Sequence, residues 1–225
     1  MAAYVHPELV LFDCDGVLVD SERIAVQVEV EILSELGWVL TPDEIAERFL
    51  GVSDADYLAQ VEDHLGRRLP PSWLTEIAPR YEEAFRKDLR PVEGVDVALD
   101  ALERAGILTA VASSGTPEKL AFTLGHTGLK ERFDGRIYSA VEVERGKPAP
   151  DLFLHAASSL GVRPQRCVVV EDSPAGIEAA IAAGMRPVAY LGGLVPASRL
   201  ALPGVELLEK MSDLPQLVRP DGAPD

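Results

Sequence analysis

The sequence predicts an α/β protein in which a parallel sheet is interrupted, after its first strand, by an all-helical insert. Three observations predict it. Short apolar runs that end in polar residues recur along the chain, among them LVLFDC, ILTAVAS and RCVVVE. Past residue 90 these runs alternate with helical patterns, which makes βαβ units with right-handed crossovers. Between the first run and residue 90 only helical patterns occur. The 225 residues, 47% hydrophobic, fit one large domain or two small ones with a packed core.

The elements follow in order. Leu9–Cys14 is short, apolar and followed by a Gly-containing turn, as expected of a buried strand. Ser21-Glu22 opens a helix through about Leu36, closed by Gly37. Thr41-Pro42-Asp43-Glu44 starts a second helix, with Thr as N-cap and Pro at the first helical position. Further helices are expected near Asp54–Leu65 and Ser72–Lys87, separated by Pro70-Pro71. Then come a helix at Val95–Ala105, a strand at Ile107–Ser113, a helix at Pro117–Thr127 and a strand at Arg136–Val141. The series continues with a helix at Asp151–Leu160, a strand at Arg166–Glu171 and a helix at Pro174–Ala183. Strands at Arg186–Leu191 and Val205–Leu208 complete the sheet, and PDGAPD reads as a frayed tail. The fold class is thus α/β, a Rossmann-like parallel sheet core with an inserted all-helical segment. Removing residues 17–90 leaves about 150 residues, a usual size for one domain.

Composition narrows the function classes. The net charge is −16, and a chain this acidic is repelled by nucleic acid and by anionic membrane. No apolar run approaches the about 20 residues that span a bilayer. The start MAAYVHPELVLFD lacks the basic opening and long apolar stretch of a secretory signal, so a cytoplasmic location is expected. Cys14 and Cys167 are far apart and read as buried strand thiols. His6, His64, His126 and His155 show no HxxH or HxxxH spacing, which argues against zinc. The acidity is spread evenly. Residues 17–90 carry 16 acids and 8 bases and the remainder 21 and 13, so each part contributes −8. An anionic ligand would need a metal ion, helix N-termini or a few placed lysines.

Ligands of open parallel sheets bind at the carboxyl ends of the strands, so the residues just after each apolar run carry the functional reading. Four such ends stand out. Asp13-Cys14-Asp15-Gly16 puts two carboxylates together, a costly arrangement unless a cation sits between them. Gly16 lets the backbone turn so that N–H groups can face an anion. Ser113-Ser114-Gly115-Thr116-Pro117 supplies hydroxyls and a helix start, which together suit phosphate. Gly146-Lys147-Pro148-Ala149-Pro150-Asp151 places one of only five lysines on a proline-braced loop. Glu171-Asp172-Ser173 puts acids directly after VVV. Each has a plain structural reading: a capped turn, a helix cap, a solvated loop lysine, favourable charge at a helix start. Their joint occurrence, in order, at successive strand ends favours a site.

These four segments resemble the four motifs of the haloacid dehalogenase superfamily, in its phosphatase and phosphomutase branch, which carries a helical cap inserted after the first motif. DCDGVLVDSE and VVVEDSPAGIEAA carry most of the resemblance. It implies a discontinuous catalytic core, 1–16 and 91–225, and a cap domain at 17–90. It implies Asp13 as nucleophile on phosphorus, forming an aspartyl-phosphate. Asp15 would be general acid to the leaving alkoxide, then base to water. Mg2+ would sit on Asp13, the Asp15 carbonyl, Asp172 and Glu171, a hard-oxygen set. Ser113 or Ser114, with Lys147, would hold the phosphoryl oxygens; Ser113 is the first choice because it ends the strand. In the cap, the segment Phe49–Asp54, with Gly51 and Ser53, would face the active site, and Arg23 and Arg48 would be candidates to meet an anionic sugar. The branch's phosphomutases carry a His and an Arg where this chain has Ala25 and Asp54, so simple hydrolysis is the expected reaction. The implied partner is a small-molecule phosphate ester, a sugar or sugar-acid phosphate. The protein itself is expected as a monomer or weak dimer. A phosphomutase, or a non-catalytic binding protein that keeps the fold, are the alternatives.

Overall fold

A computed structural model describes residues 6–52 and 54–218. Its centre is a six-stranded parallel sheet of β1 (Leu9–Phe12), β2 (Leu108–Ser113), β3 (Ile137–Ser139), β4 (Cys167–Glu171), β5 (Arg186–Tyr190) and β6 (Glu206–Leu208). The strand order is β3-β2-β1-β4-β5-β6. Side chains alternate along a strand. Val10 and Phe12 therefore enter one apolar cluster, and Leu9 and Leu11 the other. Helices cover both faces, which is why the strands read as continuous apolar runs.

The segment after β1 folds into α1 (Ser21–Glu35), α2 (Pro42–Phe49), α3 (Asp54–Leu65) and α4 (Trp73–Asp88). These four helices share an apolar cluster of their own, built on Val26, Ile32, Leu33, Ile45, Phe49, Tyr57, Val61 and Trp73. Beyond them, α5 (Val95–Arg104) and α6 (Pro117–His126) bring Leu99, Leu102, Leu120 and Leu124 to the Phe12 face. On the Leu11 face, α7 (Asp151–Ser159) and α8 (Pro174–Ala182) bring Leu152, Phe153, Ala179 and Ala180. The chain closes with α9 (Ala197–Leu200) and α10 (Leu214–Val218).

Several sequence expectations are corrected. The first strand stops at Phe12 rather than Cys14, because Asp13 to Gly16 turn out of the sheet. Cys14 is buried as expected but lies past the strand, whereas Cys167 is its strand's first residue. The third strand ends at Ser139, since Ser139 and Glu142 form a capping box that starts a short 3-10 turn. The insert is not free of strand-like pairing. Val19 bridges both Asp15 and Pro91. Asp20 N–H donates to the Arg90 carbonyl and Val92 N–H to the Leu18 carbonyl. The chain thus leaves and re-enters the sheet layer through two adjacent, hydrogen-bonded segments. Among the described residues no helix is long and apolar enough to cross a membrane. The tail PDGAPD lies outside the described residues.

Candidate active site

The strand order reverses at β1, with β2 and β3 on one side and β4 to β6 on the other. The crevice beyond the carboxyl ends at such a point is where open parallel sheets place ligands. Phe12 is in register with Val111 on one side and Val170 on the other. Asp13, Ala112 and Glu171 therefore leave the sheet at one level.

Lys147 closes this level from the loop before α7. Its ammonium donates to Asp13 Oδ1 at 2.5 Å, to Glu171 Oε1 at 2.5 Å and to the Ala112 carbonyl at 3.0 Å. All three of its protons are thereby used. Only 5% of the side chain is exposed, and the Phe153 ring lies 5.0 Å from the ammonium. Burial alone would lower the Lys147 pKa, but the Asp13 and Glu171 carboxylates outweigh it and raise it above the ordinary lysine value. Burial pushes the Asp13 carboxyl up to about 7, against the pull of Lys147 and with added repulsion from Glu171 and Asp15. Glu171 is held on both oxygens, since its Oε2 accepts from the Ser173 N–H and hydroxyl.

Asp15 is fixed differently. Ser21 Oγ donates to its Oδ1 at 2.6 Å and Lys119 Nζ to its Oδ2 at 2.7 Å. Burial would raise this carboxyl, but the Lys119 charge and the hydrogen bonds from Lys119 and Ser21 hold it below the ordinary value. Lys119 was not singled out in the sequence. The readable signal was Thr116-Pro117: Thr116 caps α6, which sets Lys119 one turn inside a helix start that faces the site.

Asp172 completes the acid group. Its Oδ2 is buried without a hydrogen-bond partner, and so is Glu22 Oε2. Burial and the neighbouring Glu22, Glu171 and Asp13 raise Asp172 well above the ordinary range. Burial pushes Glu22 up to about 7. Gly16, at φ +74°, lies against both: a Cβ there would collide with the Asp172 carboxylate and crowd Glu22. Glu22 was also missed as a site residue, although it stands in the first turn of the helix that follows Asp13-x-Asp15.

An orphaned buried carboxylate oxygen beside three further acids is what a cation or a proton satisfies. Among the described residues no three His, Cys, Asp or Glu side chains converge as a ready-made metal cage. The donor set still fits Mg2+, which usually takes one or two carboxylates and fills its octahedron with water and phosphate oxygens. Asp13 and Asp172 suit it. Glu171 would have to release Lys147 or Ser173 to become a ligand.

The remaining expected residues are placed as follows. Ser113 is buried at the end of β2, where its Oγ accepts from the Gly115 N–H at 3.2 Å. Ser114 is exposed. Gly51 is an exposed turn residue at φ +74°, with no hydrogen bond to the acids. Its neighbour Leu50 packs both on the insert's cluster and on Ile177, Ala189, Val195 and Leu200 beside β5. Ser53 lies outside the described residues. Arg23 pairs with Asp20 and donates to the Gly192 carbonyl, and Arg48 stacks over Trp38, so neither guanidinium reaches the acids.

The chain is similar to known proteins over nearly its whole length. The family model for haloacid dehalogenase-like hydrolases matches residues 10–190. The chain is 32% identical over 217 residues to a 6-phosphogluconate phosphatase of Escherichia coli K12, covering 96% of each protein. A haloacid dehalogenase-like protein of unknown function from Agrobacterium tumefaciens C58 superposes with a TM-score of 0.84 at 39% identity, over 94% of this chain and 97% of that one. A family hydrolase from Deinococcus radiodurans R1, solved with bound phosphate and sodium, superposes at 0.77 with 36% identity and 93% coverage of each chain. From the switch-point acids, their lysine and these matches, the chain belongs to the haloacid dehalogenase-like hydrolase family.

Proposed function

We propose that the protein is a Mg2+-dependent phosphatase that hydrolyses a small sugar or sugar-acid phosphate through a phosphorylated Asp13. One observation carries the reading: Lys147 is locked between Asp13 and Glu171 beside an orphaned Asp172 oxygen. Phosphatases among the relatives and a phosphate-bound neighbour support it.

Asp13 attacks phosphorus, breaking the ester bond as the new acyl-phosphate forms. Lys147 orients Asp13 through Oδ1 and offers positive charge to the transferring phosphoryl oxygens. Asp15 protonates the leaving alkoxide and then takes a proton from the water that attacks phosphorus, which breaks the acyl-phosphate bond, releases phosphate and returns Asp13 as a carboxylate. Ser21 and Lys119 hold Asp15 in place, and they favour its carboxylate form, the one required for the water step. Ser113 and the N–H groups of the β2–α6 turn receive the phosphate. Asp13, Asp172 and the Asp15 carbonyl would hold Mg2+, with Glu171 behind them; when bound, the ion supplies charge that offsets the repulsion between two anions. Residues 17–90 act as a cap that moves on the paired segments around Val19 and Pro91.

The test is phosphate release from a panel of sugar phosphates and p-nitrophenyl phosphate, with Mg2+ and with EDTA. The expected result is Mg2+-dependent turnover that falls by at least about 1,000-fold in Asp13→Asn. EDTA-resistant turnover, or substantial activity in Asp13→Asn, refutes the mechanism.

A further inference from the structure

The turn between β2 and α6, which receives the phosphate in the reading above, is held from a strand that carries none of the site's acids. Ser139 ends β3 and is in register with Ser113 at the end of β2. It is buried, with 2% exposed. The Ser139 hydroxyl donates to the Gly115 carbonyl at 2.6 Å. The Gly115 N–H in turn donates to Ser113 Oγ at 3.2 Å. Gly115, in the middle of the turn, is therefore tied on both sides: its N–H to Ser113 and its carbonyl to Ser139.

The 3-10 turn that follows β3 does not account for this bond. A hydroxyl has one proton and two acceptor lone pairs. As the cap of Ala140–Glu142, Ser139 needs only a lone pair, which takes the Val141 N–H at 3.4 Å. Its backbone N–H is held separately by Glu142 Oε1 at 2.6 Å. The hydroxyl proton is left over, and it goes to a different element. Gly115 is half-buried, so burial alone does not demand a protein partner for its carbonyl.

What the bond fixes is the direction of a peptide. The carbonyl and the N–H of a trans peptide point in opposite directions. Holding the Gly115 carbonyl toward β3 turns the Thr116 N–H away from β3, and β1 with Asp13 lies on that other side of β2. Among the described residues, neither the Ser114 nor the Thr116 N–H has a backbone acceptor.

We infer that Ser139 is a positioning residue for phosphate: through the Gly115 carbonyl it aims the N–H groups of the β2–α6 turn at the phosphoryl oxygens. This rests on the phosphatase reading and deepens it. Such a role acts on the part common to every phosphate ester. Loss of the Ser139 proton therefore weakens all substrates alike, and inorganic phosphate with them. A group acting on the leaving oxygen would instead discriminate between esters.

Ser139→Thr keeps the hydroxyl, and Ser139→Val has nearly the same shape without it. Both β-branched side chains suit a strand position. Ser139→Ala removes the hydroxyl without adding bulk. The test measures kcat and KM on a sugar phosphate and on p-nitrophenyl phosphate, the Ki of inorganic phosphate, and Tm. In Ser139→Val and Ser139→Ala, KM on both esters and the phosphate Ki should rise together, at least about fivefold, with kcat within about twofold. Ser139→Thr should stay within about twofold of wild type on every kinetic measure. A fall in Tm with KM and Ki unchanged, a loss on one ester only, or equal losses in Ser139→Thr and Ser139→Val overturns the positioning role and leaves the phosphatase reading standing. A wild-type protein that hydrolyses neither ester overturns both.

Discussion

At the scale of single residues, the two lysines of the site do different work. Lys147 joins Asp13 to Glu171, whereas Lys119 holds Asp15. Lys119→Met leaves Asp15 with Ser21 alone and frees its carboxyl to turn. The loss should be about tenfold or more on an alkyl phosphate, whose leaving group needs a proton, and smaller on p-nitrophenyl phosphate. Equal losses would place Lys119 in phosphate binding instead. Gly16→Ala combines a left-handed backbone strain of about 1–2 kcal/mol with a collision against Asp172. Thermal unfolding should show that loss of stability, and Mg2+ affinity should fall with it. The sequence made the Gly16 turn readable but not its contact with Asp172, because close approach depends on β4, over 150 residues away. The same limit hid Glu22 and Lys119. Local punctuation places both at helix starts, but their partners Asp15 and Asp172 come from distant elements, which no local spacing reveals.

At the scale of elements, strands and long helices were legible because each carries its own periodicity and punctuation. Thr41 shows it. Its hydroxyl accepts from the Glu44 N–H at 3.3 Å, and Glu44 Oε2 accepts from the Thr41 N–H at 2.8 Å, the reciprocal capping that Thr-Pro-Asp-Glu announces. Thr41→Ala should cost about 1 kcal/mol in urea unfolding and leave kcat unchanged. A fall in kcat would mean that α2 couples to the chemistry. What the sequence did not reveal were the short pieces: α9 and α10, with four and five residues, are too brief to show a helical period. The Val19 bridges escaped for another reason. One residue pairing with Asp15 and Pro91 leaves no alternation to read, yet those bridges tie the insert to the core.

At the scale of the whole molecule, the net charge of −16 is spread evenly along the chain, but Asp13, Glu171 and Asp172 are buried together at the strand ends, where charge costs most. The sign of the pH effect follows from Asp13 and Glu22. Their carboxyls lie at about 7 in the folded protein, against ordinary values of 3.8 and 4.5. The folded state therefore holds these protons more tightly than the unfolded chain. Below the ordinary values both states are protonated and no penalty arises. Between there and about 7 the penalty grows as pH rises, and above about 7 it is constant. A divalent cation relieves that penalty but must displace protons to do so at low pH. Metal-free protein should accordingly lose stability from these groups as pH rises toward 7. Saturating Mg2+ should raise Tm more at pH 8 than at pH 5, with a gain near 2.7 kcal/mol at about 100 times Kd. Calorimetry of EDTA-treated protein with and without Mg2+ at both pH values checks it. An equal Tm shift at the two values would mean that the ion binds away from the buried acids, and the charge at the strand ends would then have to be carried by protons alone.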